Sequence, residues 1–115
     1  MQPITVSTTD ASSATTYSRK VRMDSWANAQ TVVQVKVSGT ATYTVEVSMD
    51  DPNSATSPVA EASMTWNDTL DTNLVGQTAA KNGFLAYTPT FVRLKQTAGN
   101  GSATMTLAQF SNAPY

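Results

Sequence analysis

Cysteine and histidine are both missing from this chain of 115 residues, and that absence excludes whole classes of chemistry. Disulfides, thiolate nucleophiles, Ser-His triads, imidazole general bases and the usual zinc sites each need one or the other. With no disulfide to restrain the unfolded chain, stability has to come from burial or from association. Charge is scarce as well, at 13% of residues against roughly 25% in an ordinary globular protein. Seven Lys and Arg against eight Asp and Glu leave a net charge of −1. Binding to a polyanion draws on counterion release, which needs a basic field, so no nucleic-acid partner is expected. The one cationic cluster, Arg19, Lys20 and Arg22, reads as a solvated face or as partners for acids. No segment approaches the roughly 18 apolar residues of a membrane span, and the N-terminus lacks the apolar run of a signal peptide. The expectation is a soluble chain made in the cytoplasm, with no membrane partner.

Threonine, serine, alanine and asparagine fill the gap left by the missing charges. Small neutral polar groups cost little to desolvate and lose little side-chain entropy when covered. A surface of that kind suits a protein that is packed against others.

The stretch Thr31 to Asp51, TVVQVKVSGTATYTVEVSMDD, organises the rest. Val33, Val35 and Val37 alternate with polar residues, and so do Ala41, Tyr43, Val45, Val47 and Met49, which is the period of half-buried strands. If Val37 pairs with Ala41 across Ser38-Gly39-Thr40, Val35 faces Tyr43 and Val33 faces Val45. All the apolar residues then share one side of a hairpin. A second ribbon runs from Thr90 to Phe110. A Gly99-Asn100 turn would set Leu94 opposite Met105 and Val92 opposite Leu107, with Gln96 near the tip.

Shorter strands are expected at Ile4 to Thr8, at Tyr17 to Met23 with Tyr17, Arg19, Val21 and Met23 on one face, at Ala62 to Asn67, and as an edge segment over Gly83 to Thr88. Leu70, Leu74 and Val75 are expected in the core. About seven short strands with turn signals every 8–12 residues and no helical periodicity define an all-β chain. The expected fold is an antiparallel β-sandwich, with jelly-roll and immunoglobulin-like topologies both open. Residues 1–16 read as an N-terminal strand and arm, and residues 17–115 as a single sandwich domain.

Candidate chemistry is thin. Asp50, Asp51, Asp68 and Asp71 all fall in expected loops, and calcium would need six to eight oxygens converging there. Turn-forming aspartates that bond their own backbone account for the same residues. Nothing pairs Glu46 with Glu61 in the way a glycosidase requires. The reading is therefore no enzyme, no cofactor and no metal. Asn67-Asp68-Thr69 and Asn100-Gly101-Ser102 match the glycosylation pattern but carry no weight without a secretion signal. Tyr43 and Trp66 share faces with core residues and read as core. The interface candidates are Trp26 beside a turn, the outward-facing Phe91, Arg93 and Lys95 of one strand, and Phe110 and Tyr115 near the C-terminus.

The patterns YTVEVSMDDPN and FVRLKQTAGNGSATMTLAQF, within Thr31 to Phe110, are similar to those of small β-rich virion proteins of tailed bacteriophages. In that family a strand ending in Asp-Asp-Pro, a tryptophan-containing segment and a closing ribbon recur in one compact domain. The resemblance implies a capsid decoration or cement protein: a homo-oligomer on the outer surface of the virion that binds the major capsid protein. A minor tail or head-tail component and a carbohydrate- or receptor-binding module stand as alternatives.

Overall fold

The structure, a computed structural model, describes residues 3–23, 29–85 and 88–111, with residues 29, 110 and 111 described by backbone alone. These residues form strands β1 (Ile4–Thr9), β2 (Thr16–Tyr17), β3 (Val21–Arg22), β4 (Ala29–Ser38), β5 (Thr42–Ser48), β6 (Asn67–Asp68), β7 (Lys81–Leu85), β8 (Phe91–Ala98) and β9 (Ser102–Ser111). Single 3₁₀ turns lie at Glu61–Ser63 and Thr72–Leu74, and no α-helix occurs among the described residues.

Two antiparallel sheets pack face to face. The first has the order β1-β9-β4-β7. The second has the order β2-β8-β5-β6, with β3 also paired to β8. Taking β2 and β3 as one interrupted strand, each connection passes from one sheet to the other except the link from β5 to β6. Strands arranged so form the double Greek key of an eight-stranded jelly roll. The sandwich expected from the sequence is present, and its strand order separates the two topologies that periodicity left open.

The alternating ribbons are real, but their pairing is not that of hairpins. β4 does not pair with β5, nor β8 with β9. Instead β4 pairs with β9, setting Val33 opposite Leu107 and Val35 opposite Met105. β5 pairs with β8, setting Val45 opposite Leu94 and Val47 opposite Val92. Side-chain parity requires only that the apolar sides of two linked strands end up together. A hairpin within one sheet meets that requirement, and so does an arch that carries the chain across to the other sheet. Here both ribbons are arches, and their apolar sides meet across the sandwich as one core that includes Val33, Val35, Tyr43, Val45, Leu94, Met105 and Leu107.

The two arches are stacked and tied together. Gly101 N donates to Thr40 O, Asp10 N to Gly101 O and Ala11 N to Gly99 O. Gln96, fully buried, fastens this end from inside. Its Nε2 donates to Gly99 O and Gly101 O, each at 3.1 Å, and its Oε1 accepts from Thr8 Oγ1 at 2.8 Å. Gly99, at φ +95°, lies so close to the other arch that a Cβ there would fall 2.2 Å from Thr40 O.

Several shorter elements also depart from the periodic reading. Thr16 and Tyr17 pair with Gln96 and Lys95, whereas Val21 and Arg22 pair with Val92 and Phe91. One extra residue is therefore accommodated between β2 and β3, as in a β-bulge. The insertion puts Tyr17 on the outside, 51% exposed, while Val21 and Met23 enter the core. Ala62 to Asn67 is not a strand. A 3₁₀ turn occupies its start, and only Asn67 and Asp68 pair with β5. Trp66 is correspondingly half-buried on the exterior instead of in the core. Leu74 is fully buried, but Leu70 and Met49 are exposed. The Tyr43 hydroxyl donates to Ala79 O at 2.8 Å, and burial pushes its phenol pKa up.

Candidate interaction surface

Each sheet turns one face outward, and the two outer faces differ in chemistry. On the second sheet β8 presents Phe91, Arg93 and Lys95 beside Ser48, Glu46 and Thr44 of β5. Glu46 is buried and lies opposite Asp68 of β6, a like-charge pairing that would be unfavourable alone. The cations of β8 offset it. Arg93 Nε donates to Glu46 Oε1 at 2.8 Å, and Lys95 Nζ lies 3.4 Å from Glu46 Oε2 and 4.0 Å from Asp68 Oδ1. The Arg93 guanidinium also lies between two aromatic rings, 4.1 Å from that of Tyr17 and 4.2 Å from that of Trp66. Cations favour the electron-rich faces of such rings.

Phe91 occupies an outward position yet is covered by its own chain. Arg22 stands over its ring at 4.6 Å and Lys20 at 5.6 Å. Arg22 in turn grips Asp51 with both arms of its fork, at 2.7 and 3.1 Å. These bonds hold the Asp51 carboxyl below its ordinary value, helped by the backbone N–H of Asn53, and raise Arg22. Lys20 pairs with Glu61. A small cavity of about 210 Å³ opens here, lined by Ser18, Lys20, Glu61, Met64, Trp66 and Arg93.

The outer face of the first sheet carries few charges. Thr5 and Thr106 share a hydroxyl hydrogen bond at 3.1 Å, and Ser7 and Thr104 one at 3.2 Å. Beside this ladder runs an open groove of about 450 Å³ whose apolar floor includes Pro3, Val32, Phe84 and Ala108. Phe84 is 65% exposed. The Asp71 carboxylate accepts from the N–H groups of Phe84 and Asn73 and so caps the outer edge of β7.

The fold therefore gathers Phe91, Arg93 and Lys95 on one face, with Phe91 sealed and both cations already paired. The Phe110 backbone lies in β9 of the other sheet. Trp26 and Tyr115 lie outside the described residues. Phe84 escaped the sequence reading although the same alternation exposes it, since Gly83 and Leu85 flank it on the inward side. The four loop aspartates do not converge. Asp51 binds Arg22, Asp71 caps β7, Asp50 accepts from the Thr65 N–H, and Asp68 faces Lys95. Among the described residues no group of three or more acidic side chains could hold a metal ion, and no helix is long and apolar enough to cross a membrane.

Compared with known proteins, the chain matches no family model, no curated protein and no solved structure.

Proposed function

We propose that this chain is a non-enzymatic structural protein of a virion, a capsid decoration protein that binds the outer shell as a homo-oligomer and strengthens the lattice. The observation that carries this reading is the outer face of the first sheet, a hydroxyl-rich plane with a largely apolar groove lined in part by exposed Phe84. Such a face loses little solvation when covered and offers an aromatic anchor for a partner. Fold analogy agrees, since jelly rolls serve in viral coats and in lectins, although a fold alone does not fix a function. The resemblance of the two ribbons to small phage virion proteins points the same way.

The mechanism is mass action. A ligand that binds the assembled shell more tightly than free subunits shifts the equilibrium toward the shell by the difference between those affinities. A standard interface buries roughly 1,200–2,000 Å², and many copies multiply a modest gain per contact. The test is an image of the particle with this protein labelled. Density distributed over the shell supports decoration, and a few copies at the portal or tail would support a minor tail or head-tail component instead.

One observation favours a second reading, a carbohydrate-binding module. The 210 Å³ cavity combines the aromatic Trp66 with the cations of Lys20 and Arg93 and the Glu61 carboxylate, all able to bond sugar hydroxyls. Glycan binding abolished by Trp66→Ala, with shell binding absent, would select it.

A further inference from the structure

Four strand edges are open to inspection, and three are closed to a partner. The outer edge of β7 is capped by the Asp71 carboxylate on Phe84 N–H. β6 is two residues long. The β2–β3 edge is broken by its inserted residue and carries Arg19, Lys20 and Arg22. The fourth, β1, is a continuous six-residue strand, Ile-Thr-Val-Ser-Thr-Thr, without a charge or a proline. Long uncharged edges of this kind are what proteins ordinarily protect, because they pair with other strands.

The ladder fixes which β1 groups are free. Thr9 lies opposite Ser102, and one step further Asp10 N donates to Gly101 O. Hydrogen-bonded positions alternate in an antiparallel pair, so Thr8, Val6 and Ile4 bond to β9. Thr5, Ser7 and Thr9 turn both N–H and C=O to the open side. Among the described residues no partner meets these groups.

We infer that β1 is the homo-oligomer contact: two copies pair β1 with β1 in antiparallel register about a two-fold axis at Ser7. This deepens the homo-oligomer part of the proposed function and rests on it, but is independent of shell binding. Ser7 then meets Ser7 of the second copy, and Thr5 meets Thr9 in both directions, each pairing closing two N–H···O=C bonds. The side chains meeting on the outer face are all small hydroxyls, with no like charges to repel. A second copy fits better than an arbitrary strand because the outward set is symmetric about Ser7 and an isologous contact closes at the dimer. The two first sheets become one eight-stranded sheet, with the Phe84 grooves toward its far edges.

The test is sedimentation of the full chain over a concentration series, with two β1 variants. Ser7→Pro removes an N–H that β9 does not use, so the fold should tolerate it. Ser7→Lys places like charges at the axis and keeps the donor. Both should weaken the dimer at least about tenfold while circular dichroism stays native. Because the chain has no cysteine, Ser7→Cys introduces a single thiol. Cα atoms about 5.5 Å apart across the axis lie within the range a disulfide spans, so oxidation should trap the dimer. Lys36→Cys, on β4 in the middle of the sheet, should not be trapped. A wild-type monomer at all concentrations, a dimer indifferent to both Ser7 variants, or trapping through Lys36→Cys and not Ser7→Cys would each overturn the inference. A monomer that still binds shells would leave the decoration reading standing, and a β1 dimer that ignores shells would do the reverse.

Discussion

Gln96 shows how one polar side chain can govern a whole end of this sandwich. It is fully buried, and its amide gives the Gly99 and Gly101 carbonyls a second donor beside the backbone N–H groups of Ala11 and Asp10. Gln96→Ala strips those carbonyls and Thr8 of a partner at once and should cost about 2–3 kcal/mol in urea unfolding. Asp51 works on the exterior. Arg22 lowers its pKa in the folded state, so the native protein binds fewer protons there than the unfolded chain does. The resulting stability is fully present above the ordinary carboxylate value of about 3.9 and is lost as pH falls through the lowered folded value. Asp51→Asn should therefore flatten the fall in melting temperature below about pH 4, measured against wild type. A residue reading anticipated neither role, because the Thr8–Gln96 and Arg22–Asp51 contacts join residues 88 and 29 positions apart that only the fold brings together.

At the scale of elements, the two arches decide the architecture. Val33, Val35, Val45, Leu94 and Met105 were legible as inward-facing from alternation alone, and the structure places them in one core. Their partners were not legible, because an arch and a hairpin leave identical parity. The glycines held the missing signal. Gly99→Ala should destabilise by at least about 3 kcal/mol, since a Cβ would meet Thr40 O and the left-handed φ would be strained. Gly76, at φ +63° with open space around it, provides the contrast, and Gly76→Ala should cost only about 1 kcal/mol. Equal losses at the two sites would mean that the arches do not stack as described. Trp66 and Tyr17 were misplaced for a related reason. A single inserted residue reverses which way a strand faces, and six alternating residues do not distinguish a strand from a surface loop.

At the scale of the whole molecule, the second sheet's outer face is an internally satisfied lattice of ion pairs, while the first sheet's outer face leaves Phe84 uncovered. Composition foretold a surface with few charges, but only the strand order showed that the ion pairs gather on the second sheet and leave Phe84 uncovered on the first. Phe84 is exposed enough that Phe84→Glu should leave the unfolding temperature almost unchanged while weakening shell binding about tenfold or more. The central claim, that this chain acts by preferring an assembled lattice, is met most directly by titrating it against intact shells and against free coat subunits in parallel. The account predicts binding to shells at least about a hundredfold tighter than to subunits, a difference of about 2.7 kcal/mol. Equal affinity for the two, or none for either, would contradict it.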